Sequence, residues 1–320
     1  MNNILFMMPS YYNFDEVVNA GLTKYSGHKV NYIDTVGNQV YRNNSDRIFN
    51  FLSKVFLNNN LKPAMKRKLF ISNIKKFEQY QYLIINRPDI IDREVLKFAM
   101  DKSETKILLL WDSLEKIPTS PELISLFDVV YSFDSNDCKN YGFEKIENFH
   151  FFDDLDINEI KPSYDVVFLG TADGRIENLK KTLGYFKINN IKAKAYIYVP
   201  PNKNLKRNVD IEVFTKITPF KDSFKFALNG KVILDLGHKN QTGLSFRVFE
   251  AMAFGKKLIT DNKHVKAYDF YNENNIFVID DIDKIQIPDS FWTTPYKTLP
   301  ANIIDKYHIK NWVKRILNGK

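Results

Sequence analysis

The chain has 320 residues, of which 44% are hydrophobic and 26% charged. This length exceeds one ordinary domain and suits two domains of about 150 residues each. The single cysteine, Cys138, excludes an intramolecular disulfide, and one cysteine with five histidines excludes a Cys/His zinc framework of the usual spacing. The sequence contains no run close to the roughly 18 consecutive apolar residues of a membrane span and no basic-then-apolar leader. We therefore expect a cytoplasmic protein.

The formal net charge of +8 suggests an anionic partner. The most concentrated basic stretch runs from Lys62 to Lys68 and continues through Lys75 and Lys76, with apolar residues interleaved at helical spacing. This pattern predicts a basic amphipathic helix over 62–76. It either covers the core as a solvated helix or contacts an anionic glycan or the inner membrane. We do not expect nucleic acid as a partner, because no recognised binding module is present.

Strand-like apolar runs alternate with helical patterns through the first half of the chain. The predicted strands are 4–8, 29–33, 82–85, 106–110, 129–132 and 144–149. The predicted helices are 14–24, 46–57, 66–78, 92–101 and 135–141. This alternation predicts a parallel sheet with right-handed helical crossovers.

An acidic, poorly periodic stretch over 152–162 ends in Pro162 and predicts a linker. A second α/β series follows it, with predicted strands at 164–169, 194–198, 231–236 and 257–260. The predicted helices of this half are 175–189, 244–254 and 303–317. Two such halves bind ligands in the crevice outside the carboxyl ends of their strands. Functional residues are therefore expected in the loops that directly follow strands.

The segment 235–260 is the most informative, because a buried strand leads through a polar loop into a helix and a further strand. The backbone amides of Thr242, Gly243, Leu244 and Ser245 are expected at the helix start. Free amides and the positive helix end together form an anion site that suits a diphosphate. Gly243 carries no side chain that would obstruct the approach.

Two charged residues follow in this predicted helix. Arg247 lies one turn in, where a guanidinium can pair with phosphate, and Glu250 lies three residues later on the same side. The Glu250 carboxylate could accept hydrogen bonds from both hydroxyls of a ribose. The alternative is a plain helix packed on a sheet, with Arg247 and Glu250 as a surface ion pair.

This segment resembles the donor site of GT-B glycosyltransferases, in the variant seen in bacterial lipopolysaccharide and capsule enzymes and their spore-coat relatives. The resemblance is carried by Gln241-Thr242-Gly243-Leu244, Arg247, Phe249-Glu250-Ala251-Met252, the stretch 255–260 and Asn262. Further similar pieces occur at 268–276, 85–89 and 111–113. The resemblance therefore runs in pieces over most of the chain.

The resemblance implies an α/β GT-B fold, with two Rossmann-like domains facing a central cleft. It places an acceptor domain at 1–155, a nucleotide-sugar donor domain at 162–300, and a C-terminal helix at 301–320 that returns to the first domain. It makes Glu250 the ribose-binding acid and places Gln241, Gly243 and Arg247 near the diphosphate. The more familiar pattern has a second acid seven residues before Glu250, whereas Gly243 occupies that place here.

Four further residues, Gly170, Thr171, Arg175 and His238, follow predicted strands and are candidates for donor contact. Gly170 and Thr171 precede Arg175 in a turn without the GxGxxG spacing of a dinucleotide fingerprint. Thr171 or Arg175 could contact the phosphates, or the glycines could simply shape the turn. His238 lies in the donor loop and is a candidate phosphate contact.

In the first half, Asp112 follows a buried strand and would lie at its carboxyl end. An inverting transfer needs a base for the acceptor hydroxyl, and an aspartate there is chemically suitable. The alternative is that Asp112 caps the following turn through its backbone amides. Residues 10–13 follow the first strand and are expected to line the acceptor side.

The triplets Asp154-Leu155-Asp156 and Asp281-Ile282-Asp283 match the D-x-D pattern of metal-dependent transferases. Such triplets arise by chance in acidic stretches, so we expect neither a metal nor another cofactor. Backbone amides and Arg247 can stabilise a leaving diphosphate instead.

The sequence thus predicts a metal-independent glycosyltransferase that moves a sugar from a nucleotide sugar to a bacterial surface glycan. One alternative is a nucleotide-sugar epimerase of the same fold. The other is a catalytically silent glycan-binding or scaffold protein.

Overall fold

The computed structural model describes residues 2–37, 44–153, 161–238 and 242–319. The chain divides into two compact units. Unit 1 comprises the described residues of 1–132, 137–145 and 313–320, and unit 2 comprises 133–136 and the described residues of 146–312. Most of the predicted linker, including the triplet 154–156, lies outside the described residues, so its conformation stays a prediction.

Unit 1 is built on a parallel sheet of six strands in the order β2-β1-β3-β4-β5-β6. The strands are β1 (Asn3–Met8), β2 (Lys29–Asp34), β3 (Tyr80–Ile85), β4 (Ser103–Leu110), β5 (Val129–Ser132) and β6 (Glu144–Lys145). The helices are α1 (Phe14–Tyr25), α2 (Asn44–Leu57), α3 (Lys62–Ile74), α4 (Arg93–Asp101), α5 (Pro121–Ile124) and α6 (Ser135–Tyr141). A short 3-10 helix covers Pro88–Ile90.

The central strands of this sheet are buried on both faces. Consecutive residues Ile4, Leu5, Phe6 and Met7 of β1 are all fully buried, although alternate residues point to opposite faces. Helices cover both faces of a parallel sheet, which explains why its strands appear in the sequence as unbroken apolar runs.

Unit 2 contains a second six-stranded parallel sheet, in the order β12-β11-β10-β7-β8-β9. Its strands are β7 (Tyr164–Thr171), β8 (Ala193–Tyr198), β9 (Ile211–Phe214), β10 (Gly230–Asp235), β11 (Lys257–Thr260) and β12 (Ile276–Val278). The helices that follow in the chain are α7 (Ile176–Ile188), α8 (Phe224–Leu228), α9 (Phe246–Ala253), α10 (Asp289–Thr293), α11 (Ala301–Lys306) and α12 (Ile309–Asn318). Short 3-10 helices cover Phe220–Asp222 and Lys263–Ala267.

Several predicted boundaries are wrong. The helix predicted over 303–317 is two helices, α11 and α12, because the backbone around His308 pairs with His150 instead of continuing the first helix. The His150 amide donates to the Tyr307 carbonyl at 3.0 Å, and the Ile309 amide donates to the His150 carbonyl at 2.8 Å. The strand predicted over 144–149 ends at Lys145. Helix α3 agrees with the basic helix predicted over 62–76 and lies four residues before the other predicted span, 66–78. Strands β9 and β12 were not predicted.

The two parallel sheets with helical crossovers confirm the predicted α/β class. Among the helices of the described residues, none is long and apolar enough to cross a membrane.

Candidate functional site

The candidate site of unit 2 is built from loops that follow three adjacent strands. Strands β11, β10 and β7 are hydrogen-bonded neighbours, so their carboxyl ends lie side by side. The loops at these ends comprise residues 172–175 after β7, 236–238 after β10 and 261–262 after β11. Of the predicted donor residues, Arg175 and His238 lie in these loops.

Arg175 joins two of these loops. Its Nη2 donates to Asp173 Oδ2 at 2.7 Å, and its Nη1 donates to the Leu236 carbonyl at 3.0 Å. Burial acts to raise the pKa of Asp173, but the hydrogen bonds and charge of Arg175 outweigh it and hold that pKa below its usual value. His238 Nε2 lies 3.7 Å from Asp173 Oδ2. Arg175 and His238 thus lie together, with Asp173 between them.

Gly170 and Thr171 belong to the end of β7 rather than to a turn. A Cβ placed on Gly170 would lie 2.7 Å from the Phe168 ring, so packing within the sheet accounts for this glycine. Thr171 pairs in register with Tyr198 of β8. The predicted turn therefore begins later, at Ala172.

Asp235, which sequence reasoning did not single out, links the strand ends to α9. Its Oδ1 accepts from Ser245 Oγ at 2.7 Å, and its Oδ2 accepts from Thr260 Oγ1 at 3.0 Å. Ser245 is the N-cap of α9, since its Oγ accepts from the Arg247 amide at 3.1 Å. A buried carboxylate at the end of β10 therefore fixes the start of the helix that carries Arg247 and Glu250.

The Thr242 amide was expected to be free for an anion, and this is wrong. It donates to Asp134 Oδ2 at 3.1 Å, and the Thr242 hydroxyl donates to the same oxygen at 2.9 Å. The Ser135 amide in turn donates to Thr242 Oγ1 at 2.8 Å. Asp134 is 1% exposed, so Thr242 is held by a buried carboxylate more than a hundred residues earlier in the chain. Within the described part of the chain, the amides of Gly243, Leu244 and Ser245 have no protein acceptor.

Gly243 and Leu244 have packing roles. A Cβ on Gly243 would lie 2.0 Å from Phe133 Cδ2, which no real side chain tolerates, so the close approach of Phe133 requires glycine here. The Leu244 side chain is 2% exposed in the core of unit 2, and its carbonyl accepts from Asn148 Nδ2 at 2.8 Å. Leu244 can therefore meet a ligand only through its backbone. Gln241 lies outside the described residues, and its role stays a prediction.

Arg247 and Glu250 form a buried pair, which contradicts the alternative of a surface ion pair. Arg247 Nη1 donates to Glu250 Oε2, and Arg247 Nη2 donates to Ser223 Oγ at 2.9 Å. The side chains of Arg247 and Glu250 are only 13% and 2% exposed. Ser223 lies beside the 3-10 helix Phe220–Asp222, a segment with no signal in the sequence that indicated a site.

Glu250 has an unsatisfied acceptor. Its Oε1 is shielded from solvent and has no hydrogen-bond partner among the described residues. Burial raises the pKa of this carboxyl to about 7, although the charge and hydrogen bond of Arg247 act to lower it. A buried acceptor without a partner costs roughly 1–3 kcal/mol, so Oε1 is chemically prepared to accept a hydroxyl.

In unit 1, Asp112 follows β4 and pairs with Lys116, whose Nζ lies 2.5 Å from Asp112 Oδ1. The alternative role as a turn cap belongs to Ser113 instead, since its Oγ and carbonyl accept from the Lys116 amide. The Asp112 side chain is 31% exposed. It is therefore held by one lysine and remains accessible to solvent.

The loops after β1 and β3 lie on the same edge as Asp112, because β1, β3 and β4 are neighbours. Tyr12, Asn13 and Arg87 all have φ between +54° and +62°, in the left-handed region that non-glycine residues rarely adopt. A strained backbone of this kind clusters at functional sites. The Arg87 guanidinium pairs with Asp89 at 2.8 Å.

No group of three or more His, Cys, Asp and Glu side chains that could hold a metal occurs among the described residues. Of the two D-x-D triplets, 154–156 lies outside them. In the other, the Asp283 carboxylate pairs with Lys181 at 2.5 Å.

Comparison with known proteins gives structural matches only. No protein-family model and no curated protein matches the sequence. A glycosyltransferase from Rickettsia africae shares 13% identity, over 99% of this chain and 93% of that one, with a TM-score of 0.51. A UDP-N-acetylglucosamine 2-epimerase from Rickettsia bellii shares 11% identity, over 100% and 96% of the two chains, with a TM-score of 0.49. The likeness to the first structure confirms the GT-B fold class.

Proposed function

We propose that this protein is a glycosyltransferase that moves a sugar from a nucleotide-sugar donor to a bacterial surface glycan of the lipopolysaccharide or capsule type. The GT-B fold supports an enzyme that uses a nucleotide sugar as its substrate. The observation that carries the proposal is the buried Glu250 carboxyl, with an unsatisfied Oε1, on a helix that begins at the carboxyl edge of the sheet.

In this proposal, Glu250 binds the ribose of the donor. Oε2 is held by Arg247, which leaves Oε1 to accept a ribose hydroxyl. Because Oε1 is shielded from solvent, a ribose reaches it only when a covering side chain moves. The energetic gain is the satisfaction of an acceptor that otherwise remains buried without a partner.

The diphosphate would lie at the start of α9. Among the described residues, the amides of Gly243, Leu244 and Ser245 at the start of this helix have no protein acceptor. Arg247 retains N–H groups beyond the two that bind Glu250 and Ser223. Arg175 and His238 supply further donors at the neighbouring strand end. These groups would stabilise a leaving diphosphate without a metal ion.

We propose Asp112 as the base that takes the proton of the acceptor hydroxyl. Its exposure and its position at the carboxyl end of β4 support this role. Lys116 would have to release the carboxylate for proton transfer. We further propose a lipid-linked or free glycan as the acceptor, in a cytoplasmic protein that contacts the inner membrane through its basic helix at 62–76.

The first test is calorimetric titration with a panel of nucleoside mono- and diphosphates. We expect one nucleotide to bind selectively and Glu250→Ala to weaken it about tenfold or more, since a hydrogen bond to a charged group contributes about 1.5–3 kcal/mol. Glu177→Ala is the matched control, because Glu177 also forms an (i, i+3) pair but on the exposed surface of α7.

Failure of the folded protein to bind any nucleotide would reject the donor site and favour a scaffold. Where a nucleotide binds, incubation with its sugar conjugates separates the remaining alternatives. A glycosidic product indicates a transferase, whereas an isomerised sugar nucleotide indicates an epimerase.

A further inference from the structure

Helix α2 of unit 1 presents its apolar face to solvent. Its large apolar side chains recur at the spacing of one helix face: Ile48, Phe49, Phe51, Leu52, Val55 and Phe56. At 3.6 residues per turn they occupy one arc of about 160°. All six are exposed, and Phe51 and Phe56 are 64% and 76% exposed. A helix on the surface of a globular domain normally turns such a face towards the core.

The opposite, polar face of α2 is the one that packs on the protein. Asn50 and Ser53 are 3% and 6% exposed. Asn50 Oδ1 accepts from the Leu61 amide at 2.8 Å, and Ser53 Oγ donates to the Asn59 carbonyl at 3.1 Å. These bonds tie α2 to the turn that leads into α3. The buried side of α2 is therefore its polar side, and these bonds hold it against that turn.

The net charge of the chain is concentrated in the segment that contains this helix. Residues 44–76, which contain α2 and α3, carry eight Lys and Arg side chains and one Asp, a net of +7 within the formal +8 of the whole chain. Lys62, Lys68, Lys75 and Lys76 are exposed on or just after α3. Arg47 and Lys54 are exposed on α2 itself, beside the apolar arc. The rest of the chain is close to neutral.

We propose that α2 lies flat in the surface of an anionic phospholipid bilayer. The apolar face would enter the boundary between headgroups and acyl chains, and the lysines of α3 would bind the anionic headgroups. A helix of 14 residues is about 21 Å long, and an apolar face opposite polar and basic residues is what interfacial binding requires. This inference does not depend on the donor site.

Charge complementarity favours a lipid surface over other occupants. A second copy of the chain docked through the same face would bring two segments of +7 together, and such like-charge contact is unfavourable. Nucleic acid would satisfy the lysines but not six exposed apolar side chains. An anionic bilayer matches both properties of the surface.

The test is co-sedimentation of the full chain with vesicles of phosphatidylcholine, with or without phosphatidylglycerol. We expect binding to the anionic vesicles that weakens with added salt. The double variant Phe51→Ser/Phe56→Ser should lower the partition coefficient at least about tenfold, because each phenylalanine loses its transfer from water. The matched control is Ile188→Ser/Val209→Ser, which removes two even more exposed apolar side chains from unit 2 and should leave binding unchanged.

A charge variant tests the second half of the proposal. Lys62→Gln/Lys68→Gln should lower binding to anionic vesicles by about 25-fold at low salt, since each lysine near such a surface contributes about fivefold. Phe51, Phe56, Lys62 and Lys68 are all exposed, so thermal unfolding should show that both variants stay folded.

Three outcomes would overturn the proposal. The first is an absence of binding to anionic vesicles by the folded wild type. The second is a dimer in lipid-free sedimentation analysis that the double phenylalanine variant converts to monomer, which would assign the face to a second copy. The third is tighter binding to RNA than to vesicles. Nucleotide titration of the same variants should be unaffected, so failure of the membrane surface is distinguishable from failure of the donor site.

Discussion

At the scale of single residues, Gly243 shows how one observation supports two explanations. The sequence places it in a polar loop before a helix, where the missing side chain predicts space for a diphosphate. The structure shows that Phe133 occupies the space of the missing side chain. No local pattern predicts this contact, because the two residues are more than a hundred positions apart.

We expect Gly243→Ala to destabilise the protein by about 1–3 kcal/mol, because the added methyl overlaps the Phe133 ring. Gly184→Ala is the matched control. A Cβ there meets nothing within 4 Å and lies within α7, so alanine should stabilise by about 0.5–1 kcal/mol. Urea unfolding measures both, and an unchanged midpoint for Gly243→Ala would show that Phe133 yields easily.

Glu250 should make stability depend on pH. Because burial raises the pKa of its carboxyl from 4.5 to about 7, the folded protein keeps a proton that the unfolded chain releases between these values. Stability contributed by this group is therefore lost as the pH rises through that window, by about 3 kcal/mol in total.

The variant Glu250→Gln removes this titration. The free energy of unfolding of the wild type, relative to this variant, should fall between about pH 4.5 and pH 7. The exposed Glu177→Gln serves as the control. A wild-type to variant difference that is constant over this range would contradict the shifted pKa.

At the scale of elements, the start of α9 depends on side chains from two strands. Asp235 ends β10 and Thr260 ends β11. The Asp235 carboxylate accepts hydrogen bonds from both Thr260 and Ser245. The sequence predicted the helix and both strands, because apolar periodicity reports local burial. It did not indicate Asp235, since an acid at the end of a strand has the same sequence pattern whether it binds a ligand or holds a cap.

Ser245→Ala should cost about 2–3 kcal/mol, from the lost cap and from the Asp235 oxygen left without a partner. Ser120 caps the exposed helix α5, because its Oγ accepts from the Leu123 amide. Ser120→Ala should therefore cost about 1 kcal/mol or less. Equal costs for the two variants, measured by urea unfolding, would show that the bond to Asp235 adds nothing.

Helix α2 marks the limit of the same periodicity argument. The spacing of Ile48, Leu52 and Val55 correctly predicts a helix, but it does not tell which environment its apolar face meets. The burial of Asn50 and Ser53 shows that the polar side of the helix faces inward. Their hydrogen bonds reach residues of the following turn, which a helical pattern does not report.

At the scale of the whole molecule, alternating strand and helix patterns were sufficient to predict two parallel sheets. The order of the strands was not predictable, because it depends on where each crossover connection returns to the sheet. Thus β1 lies between β2 and β3, and β10 lies between β7 and β11. The short strands β9 and β12 were missed. The residues 133–136 group with unit 2 although they precede its main body in the chain.

Hydrogen exchange should show which parts of the chain a bound nucleotide stabilises. We expect the binding nucleoside diphosphate to slow amide exchange in 172–175, 220–226 and 242–254, which surround Arg175, Arg247 and Glu250. The strands of unit 1 should exchange at unchanged rates. Protection confined to unit 1 would place the nucleotide site elsewhere.

The bond between Thr242 and Asp134 has a consequence for the exchange of halves between related enzymes. A chimera joined in the linker would take Phe133 and Asp134 from one parent and Thr242 and Gly243 from the other. The close approach at Gly243 and the carboxylate that holds Thr242 would then be matched only by chance. Recombination of such enzymes should therefore transfer residues 133–136 together with the second half of the chain.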